Sequence, residues 1–413
     1  MKLTTLIFVF SATLGSCMAQ QSDVSIKTPD GFTTTTVAAN FGRVRHIAMN
    51  SNGDLYMKLE RLSKGCGIVR LRDTNKDGVM DDTLSFGNYV GTGIAIKNGY
   101  LYASNNSSVF RYPLNNSKLG IDTAGVQRIV TGLWDKRQHN SKSIALDNSG
   151  NIYVNIGAPS NVCQEQDRQR KSKGRTPCPI LDSAGGIWQF KVDKLNQSYA
   201  DGIRYATGIR NCVGLDWNNE VNELFITVHG RDELYQSYPE YYDQKSGAEL
   251  PSETMYMVKK GDDCGWPYVH WDHLQNKKIL NPEFGGDRVK TGADNAISPL
   301  VGFPGHLAPN ALLIYSGNQF PAKYKNGAFI AFHGSWNRSP EPQEGFYVVF
   351  VPMKNGKPTG KWEVFANGFA GMETVVNLSA AKHRPCGLAQ GADGSLYVSD
   401  DSKGYVWKIS YKN

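Results

Sequence analysis

Eight residues suited to acid–base or anion-binding chemistry recur at matching offsets from short apolar segments. His139 and Arg210 stand five before Ile144 and Leu215, Asn140 and Asn211 four before the same residues, and Arg384 four before Leu388. Arg45, like Thr92, stands two before an isoleucine (Ile47, Ile94), and His229 and His333 stand four beyond Phe225 and Phe329. Arginine guanidinium makes bidentate, charge-assisted hydrogen bonds to carboxylates and phosphates. Imidazole accepts protons near neutral pH. Gathered in one place, these side chains would hold an anionic small ligand beside a base, and His139 is the leading candidate for that base. Other chemistries lack their parts. The chain has no Gly-x-Gly-x-x-Gly strand-turn-helix for a dinucleotide, no Gly-x-Ser-x-Gly elbow, no thiolate nucleophile with a plausible base, no Cys-x-x-Cys-His haem site and no zinc-type cysteine spacing.

The elements that must gather these residues are hairpins. Around His139 an approach segment leads into a short strand ending at Leu146, a turn from Asp147 to Gly150, and a second strand from Ile152. The same layout recurs at Ile47 to Met57, Ile94 to Tyr102, Leu215 to Ile226, Leu312 to Ile330 and Leu388 to Val398, six copies in all, each followed by a further strand-like run such as Gly67 to Leu71 or Gly404 to Ile409. No long amphipathic helix interrupts them. Six units of three or four antiparallel strands predict an all-β, six-bladed β-propeller, whose closure leaves few exposed strand edges. In each hairpin, residues just before the first strand and just after the second lie on one face. The eight residues are thereby expected at one mouth of the central channel. The polar excursions 159–184 and 231–252, and the Trp/Pro/Gly-rich excursion 262–308, are expected as long loops on the active-site face.

Composition agrees with many strands and tight turns: 43 Gly, 18 Pro and 11% aromatic residues in 413. Residues 1–19 read as an export signal, with Lys2, an apolar run from Leu6 to Leu14 and then small residues. Cleavage after Ala19 is one reading. The other is Leu14-Gly15-Ser16-Cys17, which resembles a bacterial lipoprotein box and would leave a lipidated Cys17. Residues 24–413 are expected as one propeller domain, with no membrane span, placed in the periplasm or outside the cell. Six cysteines follow Cys17; an even number in an exported chain suggests disulfides. Cys163 with Cys178 is the favoured pair, closing an Arg/Lys-rich loop; Cys212 with Cys264 and Cys66 with Cys386 complete the set as guesses. The charge of +7 is spread along the chain, and no segment resembles a nucleic-acid module.

Several runs carry a family resemblance: Arg45-His46-Ile47-Ala48, Gly208-Ile209-Arg210-Asn211-Cys212-Val213-Gly214-Leu215, Val228-His229-Gly230-Arg231-Asp232, Gly261-Asp262-Asp263-Cys264-Gly265-Trp266-Pro267, Phe303-Pro304-Gly305-His306, His333-Gly334-Ser335-Trp336-Asn337-Arg338 and Arg384-Pro385-Cys386-Gly387-Leu388. Together they resemble the soluble pyrroloquinoline quinone (PQQ)-dependent sugar dehydrogenases, particularly the sorbosone and pyranose dehydrogenase branch. The resemblance implies a quinone lying over the channel with Ca²⁺ beside it, a sugar or related polyol or aldehyde as substrate, and an external electron acceptor, a cytochrome or a quinone. It makes His139 the base, puts Arg210 near the quinone oxygens and Asn211 on the ring system, and assigns the cofactor carboxylates to Arg45, His333 and Arg384. His333 stands where the glucose-oxidising relatives place a lysine. Ca²⁺ would take the backbone carbonyls of Gly230 and Arg231, oxygen ligands of the kind that suit this ion. His306, Trp336 and Asn337 are candidates for the substrate rim, and His46, His270, His273 and His383 read as structural or surface residues.

A second calcium candidate comes from spacing alone. Asp73, Asn75, Asp77 and Asp81 fall at positions 1, 3, 5 and 9 of an EF-hand-like loop with Gly78 at 6, but position 12 is Leu84. An acidic hairpin turn is the alternative. Two rival functions remain at this stage: a calcium-dependent lactonase-type propeller hydrolase, and a non-catalytic propeller that binds glycans or proteins.

Overall fold

The structure, a computed structural model, describes residues 22–412; the leader reading of residues 1–19, with Cys17, lies outside them. Six antiparallel units of four strands are arranged as a β-propeller, and the third gains a fifth, two-residue strand, Asp262–Asp263, that pairs in parallel with Ile203–Thr207. The innermost strands are Val44–Met49, Ile94–Lys97, Ile144–Leu146, Cys212–Asn218, Pro309–Ile314 and Pro385–Gln390. They are short and rich in Ala, Ile and Leu because six strands crowd one axis and only small or slender side chains fit there. Each contacts the next, and the last returns to the first, closing the ring.

Second strands follow at Leu55–Ser63, Tyr100–Ser104, Asn151–Ile156, Glu223–Val228, Ala328–Phe332 and Leu396–Asp400. They keep the expected register, for example Ile144 opposite Val154 and Leu215 opposite Ile226. The hydrophobic core lies between blades. Ala48, Tyr56 and Ile68 of the first blade meet Ile94 and Leu101 of the second, and equivalent clusters fill the other five interfaces. The sixth blade is completed by the N-terminal strand Phe32–Ala38, which pairs antiparallel with Val406–Tyr411. Chain ends are thus stitched into one blade.

The mouth face carries the three excursions. The segment 159–184 is looped and holds the Cys163–Cys178 disulfide. The segment 231–252 forms two short helices, Leu234–Ser237 and Gln244–Glu249. The segment 262–308 is more than a loop: it carries a small hairpin, Val269–Asp272 with Lys277–Leu280, and supplies Val301–Phe303 as the fourth blade's outer strand. A three-residue edge strand between Pro299 and Pro304 is too short to show an alternating pattern.

The other two cysteine pairings are corrected. Cys66, Cys212, Cys264 and Cys386 are free thiols; the last three are packed as small apolar groups, a common use of buried cysteine. Among the described residues no helix is long and apolar enough to cross a membrane.

Candidate active site

His139 sits in the turn that leads into the third blade, with a left-handed backbone (φ 51°). Its Nδ1 donates to the Ala158 carbonyl at 2.6 Å. That bond fixes the tautomer and leaves Nε2 as the free acceptor. The second strand comes so close that a Cβ on Gly157 would stand 2.4 Å from the His139 carbonyl oxygen, so glycine is required there. Burial, then the nearby Arg210 charge, push the imidazole down to about 3. His139 is therefore neutral, and able to accept a proton, throughout the neutral range.

Arg210, almost fully buried, has its guanidinium held on every side: Nε donates to the Asn161 carbonyl at 3.2 Å, Nη1 to the Gly230 carbonyl at 2.9 Å and Nη2 to Asp232 at 2.5 Å. Asp232 also accepts from Arg168 at 2.8 Å and from the Asn337 amide. One carboxylate thus ties the disulfide loop, the fourth blade and the fifth-blade loop together. Burial opposes its ionisation, but the Arg210 charge and the Arg168 hydrogen bond and charge hold its pKa well below the usual carboxylate range.

Across the mouth a second network runs between blades. Arg45 donates to Thr92 at 3.3 Å and to Asp401 at 2.8 Å. The His333 Nε2–H donates to Asp401 at 2.6 Å, and its Nδ1 accepts from Arg384 Nη2 at 2.8 Å. Arg384 also donates to the carbonyls of His333 and Gly334. Both nitrogens of His333 are spent inside the protein, so its direct part is to aim Arg384 and Asp401. Between the two networks lies His229, which burial and Arg210 push down to about 3. Its Nε2 is buried without a hydrogen-bond partner. A buried polar atom left open at a channel mouth is a place for a ligand atom.

The structure thus brings together Arg45, Arg210, Arg384, His139, His229 and His333. Asn211 stands with them, its Oδ1 taking the Asn155 amide at 3.4 Å. Asn140 does not join: its amide turns outward to Asp135. Of the rim candidates, Trp336 is 53% exposed, whereas His306 is buried and bonded to the carbonyls of Gly247 and Leu250. Asn337 is taken by Asp232. The Gly230 carbonyl retains one lone pair beside Arg210, and no hydrogen bond to the Arg231 carbonyl is present among the described residues. The Arg231 side chain turns away into a buried pair with Glu283 at 2.6 Å.

The loop Asp73–Asp81 lies on the opposite face and spends its oxygens on itself. Asp73 accepts from the backbone of Asp77 and Gly78, Asp81 from Thr74, and Asp77 from the Asn75 amide. Among the described residues no three His, Cys, Asp or Glu side chains are grouped to hold a metal ion.

Two residues of the site escaped sequence reasoning, Asp232 and Asp401. Asp401 stands four beyond Tyr397, the same phase that marks His229 and His333, so the signal was there. Glu253 is a third, buried under the site. Its carboxylate accepts from the backbone of Gly230 and Ala308, and burial pushes it up to about 7.

Comparison with known proteins adds an independent line. The profile of the TrAA12-like family matches residues 26–412. An uncharacterized protein of Borreliella burgdorferi is 25% identical over 281 residues, 67% of this chain and 62% of its own length. A pyrroloquinoline quinone-dependent sugar dehydrogenase of Hypocrea jecorina is 21% identical, spanning 98% of this chain and 96% of that protein. A pyrroloquinoline quinone-dependent pyranose dehydrogenase of Coprinopsis cinerea is 23% identical over 97% of this chain, which spans only 56% of that protein's length. Among solved structures, the holo pyranose dehydrogenase PQQ domain of Coprinopsis cinerea superposes with a TM-score of 0.76 at 20% identity, covering 95% of this chain and 99% of that one. A calcium structure of the Trichoderma reesei family AA12 carbohydrate-active enzyme matches equally well, at 18% identity over the same shares.

Proposed function

The chain belongs to the TrAA12-like family, and we propose that it is a PQQ-dependent sugar dehydrogenase whose base is His139. The observation that carries this reading is the free, neutral Nε2 of His139 facing a mouth rimmed by Arg45, Arg210 and Arg384. The donor set fits a flat, anionic quinone. Arg45 Nη2 and Arg384 Nη1 have no protein partner among the described residues, and the buried His229 Nε2 is open. We assign Arg45 and Arg384 to the cofactor carboxylates, with His333 aiming Arg384, and Asn211 to the ring system. The carbonyls of Gly230 and Arg231 would hold Ca²⁺, oxygen ligands of the kind suited to that ion. When bound, the quinone supplies a hydride acceptor, and Ca²⁺ polarises it.

The chain's own part is positional and protolytic. His139 Nε2 takes the proton of the substrate hydroxyl, while Nδ1 stays on the Ala158 carbonyl so that the ring cannot turn away. Arg210, pinned by three bonds, is a fixed positive charge that adds to burial in keeping His139 neutral and would stabilise negative charge that builds beside it during the reaction. Trp336 offers an exposed aromatic face for the apolar side of a sugar ring. Electrons leave to an external acceptor, and residues 1–19, read as an export signal, would put the enzyme in the periplasm or outside the cell, free or lipid-anchored at Cys17.

The test is reconstitution. Purified protein is given PQQ with and without Ca²⁺, and reduction of an artificial acceptor is followed with a panel of aldoses and ketoses. Turnover that needs both additions supports the reading; no quinone binding would sink it.

A further inference from the structure

The disulfide-closed segment 163–178 holds five cations against two carboxylates, and its two sides differ. The inner side is bonded to the active site. Asp167 accepts from Gln138, the neighbour of His139, at 2.7 Å, and Arg168 reaches both Gln138 and Asp232. There the charges cancel, since Arg168 is paired with Asp232 and with Glu233 at 3.4 Å. The outer side is different. Arg170, Lys171, Lys173 and Arg175 are all exposed, and only Lys171 has a carboxylate partner among the described residues, Glu240 at 3.3 Å. Lys136 and Arg137, two and one residues before Gln138, add two more exposed cations without a carboxylate partner among the described residues.

This basic surface is rigid. The disulfide closes it, the Arg175 amide donates to the Cys163 carbonyl at 3.0 Å and the Glu165 amide to that of Lys173 at 2.8 Å. The Gly174 amide donates to the Glu283 carbonyl at 2.9 Å, and a Cβ on Gly174 would collide with the Phe284 ring. Ordering has been settled in the fold, so a partner meets a preformed charge pattern.

We propose that this outer surface is the docking site for an acidic one-electron carrier protein that reoxidises the enzyme; the inference rests on the dehydrogenase reading above. Each substrate oxidised leaves two electrons and two protons in the enzyme. The carrier takes one electron at each of two dockings, and the protons pass to solvent. Two visits per turnover favour fast, weak, salt-sensitive association, which is what exposed unpaired charges provide. A small anionic sugar is the poorer fit. It would need enclosed donors, whereas the cations that line the entrance are already neutralised and the free ones lie outside it.

The test uses the holoenzyme with PQQ, Ca²⁺ and sugar, and compares spinach plastocyanin, an acidic copper protein, with neutral dimethylbenzoquinone as acceptors. The variant is Arg170→Glu/Lys173→Glu/Arg175→Glu, with its thermal unfolding checked against the parent. For the parent, plastocyanin kcat/KM is expected to fall steeply as ionic strength rises from roughly 20 to 200 mM. In the triple variant it is expected to drop about tenfold or more at low salt, with benzoquinone kinetics unchanged. Equal plastocyanin rates in both proteins, or no salt dependence in the parent, overturn the docking site while leaving the activity intact. Salt-sensitive binding of polygalacturonate that the variant loses, with plastocyanin rates unaffected, overturns it in favour of a polysaccharide. No turnover of benzoquinone by the parent removes the activity itself, and the docking site with it.

Discussion

At the scale of residues, the consequence of the His139 environment is a pH profile. A general base must be neutral to act, and burial together with Arg210 brings this imidazole from the ordinary 6.5 down to about 3. Its protonation therefore begins only well below neutrality. The kcat/KM profile of the holoenzyme is expected to be flat on its acid side through pH 6, with the acid limb far below the usual histidine range. Arg210→Gln removes the second cause and should move that limb upward; a limb near 6.5 in the parent would contradict the geometry. His139→Ala should lower kcat by roughly 10²–10⁴ with PQQ binding retained, read by fluorescence titration. Asp401 gives a different signature. It lies buried between Arg45 and His333 at 2.8 and 2.6 Å, and removing one partner of a buried ionic network costs about 3–5 kcal/mol. Asp401→Asn should lower the thermal midpoint of the cofactor-free protein, with part of the loss restored by PQQ, whose carboxylates return negative charge to the arginines. Equal losses with and without PQQ would place Asp401 outside the cofactor site. His139 and Arg210 were legible because both precede a strand at one offset. Asp232 was not, because the residues that give it meaning, Arg168 and Asn337, lie 64 and 105 positions away.

At the scale of elements, the sequence shows what is local. The inner hairpins were readable because two short apolar strands and a glycine turn fall within about a dozen residues, and Cys163–Cys178 was readable because 15 positions separate the two in a polar loop. Cys212 and Cys264 share one buried cluster, yet burial there makes them apolar fillers, with thiol pKa values pushed well up. Counting an even number of cysteines cannot separate those two uses. The bridge that did form has a measurable role. Closing a loop of this length is worth about 3 kcal/mol by chain entropy, and this loop also steadies Gln138 and Asp232. Cys163→Ser/Cys178→Ser is expected to lower the thermal midpoint and to reduce kcat, with dithiothreitol reproducing the effect in the parent. Unchanged unfolding in the reduced parent would mean the loop is held by its hydrogen bonds alone. Peptide mapping should find no other intramolecular bridge among the described cysteines.

At the scale of the whole molecule, everything at the mouth depends on the ring staying shut, because the second network spans it: Arg45 comes from the first blade, His333 from the fifth, and Arg384 and Asp401 from the sixth. The seam is the sixth blade, where Phe32–Ala38 pairs with Val406–Tyr411. Hairpin counting could not reveal this seam, since its outer strand lies at the other end of the chain from its neighbours. Phe32 is its anchor. Its ring lies edge-on to those of Phe320, Tyr324, Phe365 and Tyr411, with centroids 4.8 to 5.5 Å apart, and so joins the closing strand to the fifth blade as well as the sixth. Phe32→Ala removes those aromatic contacts from a partly buried position, for which a loss of about 2–3 kcal/mol is expected, below the 3–5 of a fully buried phenylalanine. Deleting residues 22–38 is more severe. It strips the outer strand from the sixth blade and leaves Val406–Tyr411 as an open edge, a template for pairing with another chain. The truncated protein should elute as aggregates or higher oligomers in size-exclusion chromatography and fail to retain PQQ, whereas Phe32→Ala should stay monodisperse with a lowered thermal midpoint. A monodisperse truncated protein that still bound the cofactor would show that the seam serves only the rim of the ring and that the mouth is held by its own ion pairs.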